Sequence, residues 1–280
     1  MSENEKSAED VEREVSDWWR TEIIEMSPGS IRYRGYAIED LIGKASFAQM
    51  VWLMLRGELP TKGQADLLEA ALMAGVDHGP QAPSIAIARM AATCGVGLNN
   101  AMASALNVLG NVHGGAGEQA HQIYSEILEG QREGQALTGT VARALDAFFA
   151  NGNKFVPGFG HRFHHLDPRA PRLLELVDEA RDAGEVSGEF AGIARALELE
   201  IERRKGRKIP MNIDGATAVI YAELGFAAPL ARGLFCLSRS VGILAHAWEQ
   251  TEQGGRNKGP IPRRLIWTHD GPDPRDVPEG

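Results

Sequence analysis

VPGFGHRFHHLDPR, residues Val156–Arg169, gathers glycine, histidine, aspartate and arginine in one short segment. Two glycines before the histidines and an Asp-Pro pair soon after them leave almost no room for a helix. Apolar residues at helical spacing lie on both sides, over Thr140–Ala150 and Arg172–Ala183. The segment therefore predicts a loop held between two helices, where binding and catalytic residues concentrate.

Helical periodicity extends outward from this loop over most of the chain. Ser46 is a predicted N-cap, and Gly57 is the predicted end of that helix. Further helices are predicted over Glu189–Arg204, Ala216–Leu224 and Pro229–Gln250. No alternation of strands with helices appears, so the sequence predicts a mainly α protein with eight or more helices.

Two segments depart from this simple pattern. Residues 17–36 carry β-like patches around a turn signal at Ser27–Gly29, which predicts a short hairpin or an irregular segment. The helix predicted over Leu98–Leu109 is rich in small residues that let helix backbones approach closely. Such a helix suits the protein core or a dimer interface, and the sequence leaves both open.

Composition excludes several classes of protein. A net charge of −9 and a pI near 5.4 provide no general attraction for nucleic acid or for an anionic membrane. The N-terminus is acidic and lacks the basic start of a signal peptide, and no uninterrupted apolar run reaches the ~20 residues that cross a bilayer. Cys94 and Cys236 are interpreted as reduced core residues. We expect a cytoplasmic protein that binds neither nucleic acid nor membrane.

Three more loop-like segments carry histidine, aspartate and glycine at the ends of apolar helical stretches: VDHGP (Val76–Pro80), NVHGGAGE (Asn111–Glu118) and NIDG (Asn212–Gly215). With the first loop they supply a carboxylate that can act as a base, two histidines that can donate to oxygens, and arginines for carboxylates. This combination suits enolisation beside a carbonyl followed by attack on a ketone.

Each of these residues also has a structural explanation. His78 and His113 suit helix C-termini, where the dipole favours histidine. Asp214 suits the N-cap of a helix that begins at Ala216, and Arg169 suits a solvated surface. The triplet His161, His164 and His165 raises a metal-dependent hydrolase, although no cysteine accompanies it and a helix through it has little room. We therefore predict no metal site.

The ordered motifs resemble the citrate synthase superfamily from about residue 30 to about residue 250. They are R-Y-R-G-Y (Arg32–Tyr36), D-H-G-P (Asp77–Pro80), H-G-G-A (His113–Ala116), P-G-F-G-H-R (Pro157–Arg162), D-P-R (Asp167–Arg169), N-I-D-G (Asn212–Gly215) and S-R (Ser238–Arg239). The resemblance implies the all-α citrate synthase fold, with a large helical domain and a small mobile helical domain, in a homodimer. It implies a flexible segment over 1–30, a helical domain over 31–250 with its small subregion near 155–225, and a C-terminal arm over 251–280.

The resemblance also implies a role for each matching residue. Asp214 would take a proton from the methyl group of acetyl-CoA, His113 would donate to the thioester oxygen, and His161 would donate to the ketone of oxaloacetate. The implied carboxylate ligands are His78, Arg169, Arg239 and, from the other subunit, Arg263 or Arg264. The implied coenzyme A contacts are Val156, Pro157, Gly158, Phe159, Gly160, Arg162, Arg207 and Lys208. A solvated helix end is the competing interpretation of the basic run Arg203–Lys208.

The compact form, D-H-G-P and the V-G-I-L-A-H segment at Val241–His246 resemble citryl-CoA lyase and the lyase domain of ATP-citrate lyase. We therefore predict cleavage of citryl-CoA to acetyl-CoA and oxaloacetate, with the coenzyme A thioester as substrate and no tightly bound cofactor. His113 keeps citrate or methylcitrate synthase open as an alternative. A non-catalytic regulatory protein that binds coenzyme A or carboxylates is the alternative from another class.

Overall fold

The structure is a computed structural model that describes residues 7–278. Its helices are α1 (Ala8–Asp17), α2 (Ile38–Leu41), α3 (Phe47–Arg56), α4 (Lys62–Ala74), α5 (Pro83–Thr93), α6 (Leu98–Leu106), α7 (Ala116–Arg132), α8 (Leu137–Ala150), α9 (Arg169–Asp182), α10 (Glu189–Lys205), α11 (Ile213–Glu223) and α12 (Ala228–Glu252). Three short strands, β1 (Ile24–Ser27), β2 (Ser30–Tyr33) and β3 (Tyr36–Ala37), form an antiparallel sheet. The predicted mainly α architecture is confirmed.

Local sequence signals account for two of these elements. Strands β1 and β2 form the predicted hairpin, with Ile24 opposite Tyr33 and Ser27 opposite Ser30. Helix α3 begins after Ser46, whose side chain accepts from the backbone N–H of Gln49, while the Gln49 side chain accepts from the N–H of Ser46. This reciprocal capping satisfies donors that a helix start leaves unpaired.

The described residues divide into two compact units. The first comprises residues 7–71 and 120–228, and the second comprises residues 72–119 and 229–278. The predicted small-domain subregion near 155–225 lies within the first unit. Of the predicted flexible segment, residues 1–6 lie outside the described residues, and α1 follows directly after them. The predicted domain boundaries themselves remain predictions.

Helix α11 forms the centre of the first unit. Every residue from Gly215 to Ala222 is buried, and the helix packs against α9 and α10. No charged residue occurs in that stretch, and a helix that is apolar on all sides belongs in a core. The segment that carries Asp214 is thus attached to the most buried helix of its unit.

Small residues close the core of the second unit. Helices α5, α6 and α12 share an apolar cluster of Ala82, Ile85, Ala88, Ala101, Ala105, Ile243 and Ala247. Alanine at these positions lets the backbones approach closely, so the core interpretation of α6 is confirmed for the face with Ala101 and Ala105. The opposite face of α6, with Ala103 and Ser104, is exposed.

Helix α12 is the one helix within residues 7–278 that is long and apolar enough to cross a membrane by length and composition alone. The buried helix of a protein core meets the same criterion. Within α12, the guanidinium of Arg239 is buried and donates to the carbonyl of Gly75. One face of α12, with Ile243 and Ala247, packs in the core of the second unit, and 33% of its most apolar stretch is buried.

Candidate active site

The predicted site residues are divided between the two units. Asp214, His161 and Arg169 belong to the first unit, and His78, His113 and Arg239 belong to the second. The two sets are described separately below.

Two glycines bring the His161 loop against the start of α11. Gly158 has φ +85°, and a Cβ placed on it would lie 2.7 Å from the Cα of Gly215. A Cβ on Gly215 would lie 2.5 Å from the carbonyl oxygen of Gly158. Backbone bonds from Asn212 N to Gly158 O (2.9 Å) and from Gly160 N to Pro210 O (2.7 Å) join the same segments. Only glycine permits such an approach at both positions.

Asn212, and not Asp214, caps the start of α11. Its Oδ1 accepts from the N–H groups of Asp214 (2.9 Å) and Gly215 (3.3 Å), and its Nδ2 donates to Gly160 O (2.7 Å). Helix α11 begins at Ile213, so the capping interpretation of Asp214 is wrong. One amide side chain therefore orients both the base candidate and the loop before His161.

His161 is held in a defined tautomer. Its Nδ1 accepts hydrogen bonds from the backbone N–H groups of Phe163 and His164, both at 3.1 Å. A neutral ring whose Nδ1 accepts must carry its proton on Nε2. Burial lowers the pKa of His161, and although the charge of Asp167 opposes this shift, His164 and Arg169 reinforce it. The ring is therefore suited to donate through Nε2 as an uncharged group.

Asp167 forms a two-bond ion pair with Arg169. Its Oδ1 accepts from Arg169 Nε and its Oδ2 from Arg169 Nη2, both at 2.9 Å. Oδ2 also accepts from Ile213 N at 3.0 Å, next to Asp214. Burial acts to raise the pKa of Asp167, but the bonds and charge of Arg169 outweigh it and the net shift is downward. Arg169 is thus an oriented, partly buried cation and not the solvated surface residue of the alternative interpretation.

His113, in the second unit, has the opposite tautomer. Its Nε2 lies 3.2 Å from the backbone N and 3.0 Å from the Oγ of Ser84, a fully buried residue in the first turn of α5. An acceptor for a backbone N–H must be unprotonated, so the neutral ring carries its proton on Nδ1. Burial lowers the pKa of His113, and the charge of Arg239 lowers it further. The positive end of α5 also disfavours an imidazolium there.

The structure places the remaining candidates of the second unit as follows. His78 is exposed and lies beyond the end of α4, in the loop before α5. Arg239 is 5% exposed, and its guanidinium lies 4.8 Å from the ring centre of Phe235. Helices α4 and α6 end several residues before His78 and His113, so neither histidine occupies a helix C-terminus.

A pocket in the first unit is lined by residues from two of the stretches that were predicted to contact coenzyme A, one around Val156 and one around Arg207. Its lining residues are Lys154, Phe155, Val156, Phe159, Ile201, Lys205, Arg207 and Ile209. The basic run is therefore divided: Lys205 and Arg207 line the pocket, whereas Arg203 and Arg204 form ion pairs with Glu200. Sequence reasoning missed Lys154, whereas Lys205 lies within the basic run that it singled out.

Other predicted residues lie at the surface. Arg162 and Lys208 are exposed, as are Arg263 and Arg264 in the C-terminal segment. Within residues 7–278 no group of three His, Cys, Asp or Glu side chains is arranged to hold a metal ion. Sequence reasoning also missed Ser84 and Asn212; the Asn before the I-D-G segment was a visible N-cap signal.

Comparison with known proteins identifies the family. The protein-family model of the citrate synthase C-terminal domain matches residues 13–73 and 60–264 of this chain. The chain belongs to the citrate synthase family. The family relationship and the fold predicted from the motifs are thereby confirmed, and the chain is a citrate synthase-like enzyme.

Individual members of the citrate synthase family differ in how much of their length this chain matches. It is 30% identical to the citrate synthase of Haloferax volcanii over 71% of the chain and 50% of the relative. It spans about half the length of the curated citrate synthases it matches. It is 34% identical to the structure of citryl-CoA lyase from Hydrogenobacter thermophilus, with a TM-score of 0.81 over 93% of this chain and 98% of that one. Citrate synthase from Thermoplasma acidophilum, solved with carboxymethyl coenzyme A and oxaloacetate, is 26% identical with a TM-score of 0.64 over 82% of this chain and 60% of that one.

The two histidine tautomers lead to a prediction that spectroscopy can check. Because both pKa values are lowered from 6.5, both rings should remain neutral as the pH falls to that value. Below it, unfolded chains take up protons first, so stability should fall with acid. Nitrogen-15 NMR of the imidazoles should show the proton on Nδ1 of His113 and on Nε2 of His161 at pH 7. Observation of either opposite tautomer, or of a titration above 6.5, would contradict the assignment.

Proposed function

We propose that this chain is a citryl-CoA lyase, which cleaves citryl-CoA to acetyl-CoA and oxaloacetate. The observation that carries the proposal is the match to citryl-CoA lyase from Hydrogenobacter thermophilus, which extends over almost the whole of both chains. The curated citrate synthases correspond to this chain over only about half of their length. The solved citrate synthase of Thermotoga maritima is matched over 96% of its chain, but at 21% identity and a TM-score of 0.59, below the 34% and 0.81 of the lyase. The arrangement of polar groups within each unit is consistent with the carbon–carbon step that lyase and synthase share.

The proposed step is simplest to describe in the condensing direction. Asp214 removes a proton from the methyl group of acetyl-CoA, and the Nδ1–H of His113 stabilises the charge that develops on the thioester oxygen. The Nε2–H of His161 donates its proton to the ketone oxygen as the enol attacks, which forms the hydroxyl group of citryl-CoA. A placed, uncharged donor is effective where charge appears only in the transition state. By microscopic reversibility, the same contacts serve cleavage.

The proposed carboxylate ligands are positively charged or can donate hydrogen bonds. Arg169 is oriented by its two bonds to Asp167, and Arg239 is held by Gly75 O. Preset guanidinium groups lose little conformational freedom on binding, so they can fix a dicarboxylate firmly. His78, which follows Asp77 in the exposed loop, completes the set. Arg263 remains the candidate from the second subunit.

We assign the pocket beside Val156 and Phe159 to the nucleotide end of coenzyme A. Its apolar walls suit a base, and Lys154, Lys205 and Arg207 suit phosphates. A double variant, Lys205→Ala with Arg207→Ala, should raise the KM for acetyl-CoA about tenfold and change kcat little. Arg203→Ala is the matched control, because that guanidinium is paired with Glu200 at the surface. An equal rise in KM for the control would indicate only a general charge effect.

The homodimer is also part of the proposal. Leu237, Val241, Leu244 and Trp248 form an exposed apolar stripe at helical spacing along α12, with 41–58% of each residue accessible. An apolar stripe of this kind is typical of an association surface. Light scattering should therefore give about twice the 30.3 kDa mass of the chain, and a monomer at working concentration would contradict this part of the proposal.

Product analysis tests the function directly. The enzyme is incubated with citryl-CoA, and the products are identified by mass spectrometry while free thiol is measured. Acetyl-CoA and oxaloacetate without free citrate are expected. Free citrate and coenzyme A would instead support a citrate synthase, the alternative favoured by the matched synthases and by the presence of His113. Absence of turnover on any acyl-CoA would favour a non-catalytic binding protein.

A further inference from the structure

One face of α12 is hydrogen-bonded to the segment that leads to His78. The last carbonyls of a helix such as α4 have no partners within the helix, and here α12 provides a donor for the carbonyl of Leu72. The contacts follow one another along α12: Ser238 Oγ donates to Leu72 O, Arg239 Nε to Gly75 O (3.1 Å), Gly242 N to Val76 O (3.1 Å), and His246 Nε2 lies 3.2 Å from Asp77 Oδ1. The segment from the end of α4 to Asp77 is therefore fixed to a single helix.

Gly242 makes the close approach possible. A Cβ at this position would collide with the carbonyl oxygen of Val76 and lie 3.0 Å from Oδ1 of Asp77. The backbone of the loop thus packs directly on the backbone of α12. The side chains that flank the glycine, Arg239 and His246, then reach the loop on either side of this contact.

The hydrogen bonds determine the donor and acceptor roles of His246. Arg89 Nη1 lies 3.0 Å from His246 Nδ1, and because arginine can only donate, Nδ1 must accept. Nε2 therefore carries the proton and donates to Asp77. Arg89 is itself held by Glu249 and by Gln253, so the ring has a supported position. His246 and Arg89 are both largely buried, with 19% and 17% of their side chains exposed.

Asp77 links His246 to the backbone on both sides of His78. One of its oxygens faces His246, and the other accepts from the N–H of Gly79 at 3.1 Å. Burial acts to raise the pKa of Asp77, but its bonds to the N–H groups of Gly79 and His78 and to His246 outweigh it, and the net shift is downward. The carboxylate therefore stays charged and ties the peptide groups around His78 to α12.

We propose that His246 is a positioning residue, which holds Asp77 and thereby fixes His78 in the orientation that contacts a carboxylate of the keto acid. The inference rests on the proposed function, because that function assigns His78 to the carboxylate. It adds a residue that touches no substrate but determines how firmly the substrate is held. It also places both carboxylate ligands of this unit, His78 and Arg239, on one scaffold.

The test compares two replacements of His246 by isothermal titration with oxaloacetate. His246→Leu removes both hydrogen bonds and should weaken oxaloacetate binding about tenfold. His246→Gln provides a donor and an acceptor in one amide and should restore affinity to within about threefold of wild type. His269→Leu, at an exposed histidine of the C-terminal segment, is the matched control and should bind normally. Equal losses for Leu and Gln, or no loss for Leu, would overturn the proposal.

A background variant shows whether the effect passes through His78. In a His78→Ala protein, adding His246→Leu should cause little further loss of affinity, because the positioned group is already absent. The same tenfold loss in both backgrounds would mean that His246 acts by another route. If His246→Leu does not fold, Asp77→Asn replaces it: it keeps an oxygen for His246, loses the acceptor for Gly79, and should weaken binding to a similar extent.

Hydrogen exchange separates this inference from the proposed function. Peptides that cover residues 75–82 should exchange faster in His246→Leu than in wild type. In His246→Gln and His269→Leu, the exchange rate of these peptides should equal that of wild type. Unchanged exchange in the Leu variant would overturn the positioning role whatever the substrate is. Faster exchange together with a wild type that does not bind oxaloacetate would instead count against the proposed function.

Discussion

Asp214→Asn is expected to lower kcat for citryl-CoA cleavage about 10³-fold while the protein remains folded. The amide is nearly isosteric with the carboxylate but cannot exchange the proton with carbon. Stability should be retained because Asn212, and not Asp214, caps α11. Steady-state kinetics with citryl-CoA and thermal unfolding of the same preparation measure the two effects. Oxaloacetate affinity should change little, since the arginines and His78 are intact.

Asn212→Ala provides the comparison for stability. It removes the acceptor for two N–H groups at the start of α11 and should cost about 1 kcal/mol of unfolding free energy. The two variants should therefore differ in stability: Asp214→Asn should be inactive at normal stability, and Asn212→Ala should be less stable. An Asp214→Asn enzyme with more than a tenth of wild-type activity would exclude Asp214 as the base.

Gly215→Ala is expected to have the second large effect, because it alters the junction that orients both His161 and Asp214. The new methyl group would meet the carbonyl oxygen of Gly158 at 2.5 Å and the Cγ of Met211 at 2.6 Å. Overpacking of a buried contact costs about 2 kcal/mol. The shift of the loop from α11 should also lower kcat about 100-fold, as expected when catalytic groups are displaced by about 1 Å. Denaturant unfolding and kcat measure the two losses.

Gly192→Ala is the matched control in the same unit. Gly192 lies in α10, has no atom within 4 Å of the added Cβ, and has no positive φ. Alanine there should raise the stability by about 0.5–1 kcal/mol and leave kcat unchanged. If Gly215→Ala is as active and as stable as Gly192→Ala, the close contact between the loop and α11 has no functional importance.

Elements with strong local signals were predicted well. Ser46 and Gly57 bracket α3 as expected, and the stripe around Leu197 identifies α10. Helices α5 and α7 were missed: α5 follows a loop motif directly and is rich in alanine, and α7 begins within the glycines after His113. In both cases a glycine-containing loop motif lies at or just before the start of the helix, and glycine and proline there are signals for a loop.

The sequence alone was sufficient to assign the family, the mainly α fold and the residue types of the site, because ordered motifs and apolar periodicity are properties of the chain itself. Tertiary structure decided which nitrogen of His161 and His113 carries the proton, which residue caps α11, and how Asp167 orients Arg169. Each of these depends on a hydrogen-bond partner that is placed by packing, such as Ser84 at the start of α5, 29 positions from His113. Spacing along a chain does not define such contacts, since they follow from how buried helices and glycine backbones come together.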